Sequence, residues 1–497
     1  MLVACAGDNF TPHGDDDTAD AAEEDDDDTD DAERCTAART VVNVESAGGN
    51  PFARRVSVHT DRDCEISGFV TTEGESGFGP SNPSASGPAA FHELWFFGLL
   101  PGRAFHVAIH VAGDPEQILA ESDFETPAVP AGVPMPDRFE SAFPQPDDAP
   151  WIAAWVAWYT LTLDAREIWV VIFDRRGRLR FAHRVTGETA SMLMVADDGT
   201  LVLNDQFNII GVRPDGTQSV LLRPRVSPPH LFPMHHQIHY ATHGPWRAVV
   251  LFNELGDGLK CDGVTPTEAA VGDGLAVVDD KGAEIFRWSI FDHLDAFPQS
   301  VPVPFSCLEN HWAPDTTDWT HGNAAAPVAG ENAFLVSLRN LSRVVKIDGE
   351  TGDIVWQLGR GLDFTWIGDE PDAERWFGFQ HDAQSLPGNR VLLFDNAYAF
   401  FPDVAPHELW SRALELELDE EAMTARRVFE HRVPVSLILG SADRGENGHT
   451  LVSTGSGATA EDVTSDGKVI WKIRYDDVHY ALTARFYPPL WNDGGGF

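Results

Sequence analysis

The stretch Phe379-Gln-His-Asp-Ala-Gln-Ser-Leu-Pro-Gly-Asn-Arg-Val-Leu-Leu-Phe-Asp-Asn396 predicts a strand, a tight turn and a second strand. Pro387-Gly-Asn389 favours a turn because proline presets its own φ, and glycine or asparagine accepts a positive φ. The apolar run Val391-Leu-Leu-Phe394 is typical of a buried strand. His381 stands at the head of the first strand, where a side chain can face a shared cavity. An isolated histidine more often hydrogen-bonds within a core, but similar strand heads recur in this chain.

Hairpins of this kind recur after residue 150. Each joins one strand to another that begins at a turn, as in Arg343-Val-Val-Lys-Ile-Asp348 followed by Thr351-Gly-Asp-Ile-Val-Trp356. Six such hairpins lie about 40–70 residues apart, which is typical of four-stranded blades around a central channel. A chain of 497 residues is also too long for one ordinary domain unless it is a repeat. We therefore predict an all-β fold with a six-bladed β-propeller over residues 151–497, and a strand near Tyr480 that joins the first or last blade.

Residues 36–130 show short strands of period two. Leu99-Leu-Pro-Gly-Arg-Ala-Phe105 is similar to a phrase found in fibronectin-III-like and related sandwiches. We predict a small β-sandwich of the immunoglobulin or fibronectin-III type in this region. Prolines are frequent in residues 131–150, which predicts a linker.

Residues 1–35 carry runs of aspartate and glutamate without apolar periodicity, which predicts a disordered, extended tail. Leu2-Val-Ala-Cys5 resembles a bacterial lipobox, in which the cysteine is lipidated, but the charged and apolar regions that should precede it are absent. Either the start codon is misplaced or the match is chance. We expect a periplasmic or cell-surface lipoprotein that is attached to the membrane only through Cys5. No other stretch reaches the roughly 18 apolar residues of a spanning helix.

Composition narrows the classes of partner and cofactor. The net charge of −43 argues against nucleic acid, because no basic stripe exists to displace counterions from phosphates. No convincing P-loop, dinucleotide fingerprint, Gly-x-Ser-x-Gly elbow or paired CxxC is present, so we expect no cofactor. Four cysteines besides Cys5 allow two disulfides in an oxidising compartment. Cys35–Cys64 with Cys261–Cys307 is the more local of three pairings, and four reduced thiols are the alternative.

Three strand heads carry histidine, and they read Met234-His-His-Gln-Ile238, Trp319-Thr-His-Gly-Asn-Ala324 and Phe379-Gln-His-Asp-Ala383. The first strand of each propeller blade lines the channel, so His236, His321 and His381 are expected to converge. Arg339 follows His321 by 18 residues, enough for a turn and a return strand. Together with the amide of Asn323 these side chains form a donor-rich pocket in an acidic protein. Such a pocket suits a tetrahedral oxyanion, sulfate or phosphate, because arginine presents a rigid fork to it.

Several of these motifs, in this order and spacing, resemble the bacterial arylsulfotransferases, the PAPS-independent aryl-sulfate sulfotransferases. The resemblance covers roughly residues 145–490 and is densest from 319 to 396. It implies an N-terminal β-sandwich, a six-bladed propeller and an activity outside the cytoplasm, with dimerisation left open. It also implies an aryl sulfate donor, a phenol acceptor and a nucleophilic His381 that forms a transient sulfohistidine. The residues that it implies around the sulfuryl group are His236, His321, Asn323 and Arg339.

The expected chemistry is a ping-pong transfer in two displacements. A neutral imidazole attacks sulfur, and Arg339 with the other imidazoles stabilises charge on the sulfuryl oxygens. His321 or His236 protonates the leaving oxygen and later deprotonates the acceptor. Asp382 is an alternative residue for orienting an imidazole, although a strand neighbour normally points to the opposite face.

The chain also departs from the family pattern. Gln237 stands where we expect aspartate, and the choice of His236 over His235 rests on analogy with His381-Asp382. A hydroxyl residue of the last blade normally joins the site, and Ser453 and Thr454 are both candidates. Two other functions stay open from sequence: a three-histidine centre for zinc, iron or copper, and a non-catalytic propeller that serves as a binding scaffold.

Overall fold

The computed structural model describes residues 35–36, 40–74, 77, 79, 88–142, 149–159, 165–186, 190–226, 234–259, 266–295, 317–397 and 410–490. Within these ranges the fold consists of strands, with one four-residue helix, α1 (Asp372–Arg375), and two 3-10 turns, Ile290–Asp292 and Arg339–Leu341. The predicted all-β class is therefore confirmed. No helix in these ranges is long and apolar enough to cross a bilayer.

Two three-stranded antiparallel sheets come from the N-terminal region. One joins β1 (Val41–Ser46), β2 (Arg54–Cys64) and β4 (Ala89–Phe96), and the other joins β3 (Ile66–Thr71), β5 (Ala104–Val111) and β6 (Asp114–Glu125). Val56 of the first sheet and Val107 of the second lie in one buried apolar cluster, so alternate residues of both sheets share a core. A disulfide joins Cys35 to Cys64, as the more local pairing predicts. Cys261 and Cys307 lie outside the described residues.

Six larger sheets follow, with four or five strands each in the described ranges. The first sheet contains β8 (Trp151–Tyr159), β9 (Ala165–Phe173), β10 (Leu179–Arg184) and β32 (Tyr480–Tyr487), and the second contains β11 (Ala190–Val195), β12 (Leu201–Asn204), β13 (Ile209–Val212) and β14 (Gln218–Leu222). The third contains β15 (Met234–Tyr240), β16 (Ala248–Leu259), β17 (Pro266–Val278) and β18 (Glu284–Ser289), and the fourth contains β19 (Gly322–Pro327), β20 (Ala333–Leu338), β21 (Arg343–Asp348) and β22 (Ile354–Leu358). The fifth contains β24 (His381–Leu386), β25 (Arg390–Asp395), β26 (Trp410–Asp419) and β27 (Thr424–Pro434) with β23 (Thr365–Trp366), and the sixth contains β28 (Ser441–Arg444), β29 (Thr450–Thr454), β30 (Thr459–Val463) and β31 (Val469–Arg474) with β7 (Arg138–Ser141).

Two strands pair with partners that are distant in sequence. The C-terminal β32 is antiparallel to β8, with Tyr480 opposite Trp158 and Tyr487 opposite Trp151. The sequence predicts that the trailing strand joins the first or the last blade, and it joins the first of the six large sheets. β7, inside the segment predicted as a linker, pairs with β31 at the far edge of the last sheet.

The first strands of the sheets lie next to one another. β11 contacts β15, β15 contacts β19, β19 contacts β24, β24 contacts β28, and β32 contacts both β28 and β11. Apolar side chains fill the space between neighbouring sheets, as where Leu251 and Leu275 meet Val336 and Ile347. This packing brings the heads of β15, β19 and β24 to a common place.

The hairpin of β24 and β25 forms as the sequence predicts. Pro387 to Asn389 is the turn between the two strands, and Gly388 and Asn389 adopt φ values of +82° and +54°. These are left-handed conformations that glycine and asparagine tolerate best. The hairpin pairs His381 with Phe394 of β25, and Asn396 follows directly after the end of that strand.

Candidate active site

The three histidine-bearing strand heads share an irregular backbone. The register of each strand shifts where the head meets its neighbour: between His235 and Ile238, between Gly322 and Ala324, and between His381 and Gln384. His236, His321 and Asp382 have φ values of +54°, +46° and +55°. Such bulges redirect side chains away from the regular alternation, and positive φ in residues other than glycine often accompanies functional sites.

His381 is held by hydrogen bonds to one ring nitrogen. Its Nδ1 lies 2.8 Å from Asn396 Oδ1 and 3.2 Å from the carbonyl oxygen of Phe379. The Asn396 amide nitrogen donates to the carbonyls of Ser436 and Leu439, at 2.7 and 3.1 Å. Asn396 can therefore offer only its oxygen to the ring, so Nδ1 carries the proton. The lone pair of the neutral imidazole is then on Nε2.

Burial keeps His381 neutral. The side chain is 2% exposed, and burial together with the positive charge of Arg339 lowers its pKa to about 3. The hydrogen bond to Asn396 opposes this shift only in part. Desolvation disfavours a charged imidazole, so the ring is neutral throughout the neutral pH range.

His236 and His321 lie against each other. Their ring centroids are 5.0 Å apart with an interplanar angle of 74°. His321 Nδ1 is 2.5 Å from Asp318 Oδ2. Burial, and repulsion from the neighbouring imidazoles when they are protonated and from Arg339, hold the pKa of His236 well below its usual value.

His235, the neighbour that the sequence did not distinguish from His236, faces a different set of side chains. Its Nδ1 is 2.9 Å from His236 Nδ1, and its Nε2 is 3.0 Å from Asp273 Oδ1. Of the two rings, His236 is therefore the one that contacts His321.

Arg339 begins the 3-10 turn after β20 and is 4% exposed. Its backbone nitrogen donates to the carbonyl of His321 at 3.3 Å. The guanidinium stands over the ring of Phe379, 4.8 Å from the centroid, and Nη1 donates to Asn340 Oδ1 at 2.8 Å. Burial lowers the pKa of Arg339 to about 10, so it remains a cation at neutral pH. Its charge contributes to the lowered pKa of both His381 and His236.

Asn323 contacts the backbone next to His381. Its Nδ2 donates to the carbonyl of Gln380 at 2.8 Å. Its buried Oδ1 has no hydrogen-bond partner among the described residues. The second Nδ2 hydrogen and this oxygen are groups that a ligand can satisfy.

The two predicted hydroxyl residues have local partners. Ser453 Oγ is 2.5 Å from Ser441 Oγ and accepts from the Ala484 amide at 3.2 Å. Thr454 Oγ1 accepts from the Thr459 amide at 3.0 Å. These bonds join β28, β29, β30 and β32 and assign neither hydroxyl to the histidine cluster.

Asp382 is turned away from His381. Its carboxylate binds Arg485 of β32 at 2.7 and 2.8 Å and accepts from Gln237 Nε2 at 2.9 Å and from the Ala442 amide at 3.0 Å. One buried carboxylate thus joins β24, β15, β28 and β32. The alternative in which Asp382 orients an imidazole has no support from these contacts, whereas Gln237 gains a role as its hydrogen-bond donor.

Sequence reasoning did not find Asn396 or Asp318. Asn396 had a usable signal, since it follows the strand that pairs with the head of β24. Asp318 lies three residues before His321, in a segment without periodicity. Within the described ranges, no three His, Cys, Asp or Glu side chains are grouped so that they could hold a metal ion.

Comparisons with known proteins add a family and distant structural neighbours. A family model described as Arylsulfotransferase (ASST) matches residues 159–486. No curated protein matches the sequence.

Solved structures with detectable likeness differ widely from this chain. A protein of unknown function from Bacteroides caccae has 11% identity and a TM-score of 0.40, covering 68% of this chain and 99% of its own. The periplasmic gluconolactonase of Pseudomonas aeruginosa has 13% identity and a TM-score of 0.35, with 85% and 99% coverage. Virginiamycin B lyase from Staphylococcus aureus has 9% identity and a TM-score of 0.32, with 67% and 87% coverage.

Proposed function

Because this chain belongs to the arylsulfotransferase family, we propose that it moves a sulfuryl group from an aryl sulfate ester to a phenolic acceptor, without PAPS and through a sulfohistidine. One observation carries the proposal most directly. His381 is neutral, its Nδ1–H is engaged by Asn396, and its Nε2 lone pair is unprotonated beside the buried cation Arg339. That combination provides both a nucleophile and a binding group for an anionic sulfate ester.

In the first displacement, Nε2 of His381 attacks the sulfur of the donor. The N–S bond forms while the bond from sulfur to the aryl oxygen breaks, and the phenoxide leaves with a proton from His236 or His321. Nδ1–H of His381 keeps its hydrogen bond to Asn396, which steadies the positive charge that develops on the ring.

In the second displacement, the acceptor phenol gives its proton to His236 or His321. Its oxygen then attacks sulfur, the N–S bond breaks, and His381 returns to its neutral form. Arg339 stabilises charge on the sulfuryl oxygens in both steps, and because it is desolvated its effect is stronger than in water. The second Nδ2 hydrogen of Asn323 is a further donor to the sulfuryl group. A substrate-binding role for Ser453 or Thr454 stays a prediction.

The architecture that we propose is a six-bladed propeller with a small N-terminal sandwich. The circuit of contacts from β32 through β11, β15, β19, β24 and β28 supports a ring closed by pairing of β32 with β8. We assign residues 36–130 to the sandwich, 131–150 to a linker that also contributes β7, and 151–497 to the propeller; the predicted acidic tail lies outside the described residues except for Cys35, which the disulfide joins to Cys64.

We also propose that the protein works outside the cytoplasm, in the periplasm or at the cell surface. The Cys35–Cys64 disulfide supports an oxidising compartment. Attachment through a lipid on Cys5, the absence of nucleic-acid partners and cofactors, and a homodimer all remain predictions from the sequence.

The experiment that tests this function is transfer from 4-nitrophenyl sulfate to phenol, followed by nitrophenol release. We expect release by the wild type to depend on phenol and to be lost in His381→Ala. His239→Ala is a matched control, because His239 is another interior histidine, on β15, and has no role in the proposed chemistry. Absence of turnover by the wild type over a panel of phenols would overturn the proposal, as would full activity of His381→Ala.

A further inference from the structure

A chain of three side chains leads from the histidine cluster into the protein interior. His236 Nδ1 meets His235 Nδ1 at 2.9 Å, and His235 Nε2 meets Asp273 Oδ1 of β17 at 3.0 Å. The two rings are nearly perpendicular, at 88°, with centroids 5.1 Å apart. Asp273 is fully buried.

The carboxylate at the end of this chain is surrounded by donors. Oδ2 accepts from the hydroxyl of Thr320 and from the amide of Gly322, and Oδ1 accepts from Asn253 Nδ2 at 3.1 Å. A Cβ at Gly322 would lie 2.8 Å from Asp273 Cγ, so glycine makes room for this carboxylate beside His321. Burial alone would raise the pKa of Asp273, but its hydrogen bonds and the adjacent His235 hold the pKa below its usual value. Asp273 is therefore an ionised acceptor.

Because Asp273 is ionised and can only accept, it determines which ring nitrogens of His235 and His236 carry a proton. A carboxylate cannot donate, so the 3.0 Å contact places a proton on His235 Nε2. Asn253 Nδ2, which is also 3.0 Å from that nitrogen, then donates to Asp273. When His235 carries no second proton its lone pair is on Nδ1, and the proton between the two rings then belongs to His236 Nδ1. The lone pair of His236 is consequently on Nε2, away from His235.

The pairing of His235 with Asp273 offers a place for a positive charge that His236 itself accommodates poorly. The groups that face His236 are His235 on its own strand, His321, His381 and Arg339, and each one repels an added proton when it is positively charged. His321 has a carboxylate of its own in Asp318. A positive charge on His236 is therefore costly, whereas the same charge on His235 lies beside Asp273.

We propose that His235 and Asp273 are positioning residues that make His236 the proton-transferring group of the reaction. The proposal rests on the sulfuryl transfer proposed above. When the acceptor phenol gives its proton to His236 Nε2, the proton on His236 Nδ1 moves to His235 Nδ1. His236 is then neutral again, and the charge forms an ion pair between His235 and Asp273. In the donor step the chain runs in reverse from its protonated form: His236 gives its Nε2 proton to the departing phenoxide and takes the Nδ1 proton back from the His235 cation. The first donor therefore uses one proton taken up from solvent, and each acceptor phenol then restores the proton that the next donor needs.

The test compares two donors that differ in their need for a proton. Phenoxide, from a phenol with a pKa of about 10 like that of tyrosine, leaves poorly unless it is protonated. The much more acidic 4-nitrophenol leaves readily as its anion. We expect His235→Gln and Asp273→Asn to slow single-turnover cleavage of phenyl sulfate by about 10²-fold, while 4-nitrophenyl sulfate is slowed by less than about 3-fold. His239→Gln, an imidazole lost from the same strand, serves as the control and should affect neither donor.

Equal losses with both donors would show a merely structural role and overturn the proposal, and so would unchanged rates with both. If the wild type transfers from neither donor, the proposed function fails, and the proton positions are then decided by nitrogen NMR of ¹⁵N-histidine protein. The relay predicts the Nε2–H tautomer for His235 and the Nδ1–H tautomer for His236, with the His235 assignment lost in Asp273→Asn. An Nδ1–H tautomer of His235 in the wild type would contradict it.

Discussion

Because His381 is held neutral in the folded protein, we expect the free energy of unfolding to fall as the pH is lowered. In the unfolded chain a histidine has a pKa of about 6.5, whereas in the folded protein burial and Arg339 lower the pKa of His381 to about 3. At pH 5 the unfolded state therefore binds a proton at this site and the folded state does not, so acidification favours unfolding. The free energy of unfolding is lost progressively as the pH falls from 6.5 towards 3. Between pH 7 and pH 5 the loss at His381 amounts to about 2 kcal/mol.

The perturbation that isolates this effect is His381→Gln, which keeps an amide near Asn396 but cannot titrate. Equilibrium urea unfolding, followed by circular dichroism at pH 7 and pH 5, gives the change in unfolding free energy for each protein. We expect the decrease on acidification to be smaller in His381→Gln than in the wild type by about 2 kcal/mol. His243→Gln, which removes an exposed histidine, should leave the wild-type decrease unchanged. An equal or larger decrease in His381→Gln would refute the conclusion that His381 is held neutral.

Three further changes have defined expectations. Arg339→Met should lower kcat/KM for aryl sulfates by about 10²- to 10³-fold, as loss of an oxyanion donor does, and should raise the pKa of His381 in an NMR titration. Asn396→Leu should lower kcat by about 10²-fold, because the tautomer of His381 is no longer fixed, and activity that is unchanged in steady-state kinetics would contradict this. Arg485→Met should destabilise the fold by about 3–5 kcal/mol, since it leaves the Asp382 carboxylate buried without its cation. Urea unfolding measures that loss, and a change below about 1 kcal/mol would show that the pair is unimportant.

Local patterns predicted the elements of the fold well. The hairpin of β24 and β25 follows from a proline-glycine-asparagine turn between two strand patterns, and all of that information lies within 18 consecutive residues. The juxtaposition of His321 and Arg339 follows in the same way, because Gly322 pairs with Leu338 across one hairpin. In both cases a strand register fixes which side chains are neighbours.

The remaining features depend on contacts between sheets, which leave no local pattern. Asp382 binds Arg485 across a separation of 103 residues, and nothing near either residue indicates the other. Strand alternation did suggest that Asp382 points away from His381, but not what it meets. His235 and His236 look equivalent in sequence, and only the position of Asp273 on β17 distinguishes them. The sequence predicts a linker over residues 131–150 because prolines flank Arg138–Ser141, whereas that stretch forms β7 by pairing with the edge of a distant sheet.

In the proposed mechanism, His381 carries the sulfuryl group between donor and acceptor. It is tested most directly by mixing the enzyme with 4-nitrophenyl sulfate in the absence of acceptor, stopping the reaction rapidly, and measuring intact mass with fragmentation to locate the adduct. We expect one sulfuryl group on His381 in the wild type, its disappearance when phenol is added, and no adduct in His381→Ala. Turnover without any adduct, or an adduct on a different residue, would contradict it.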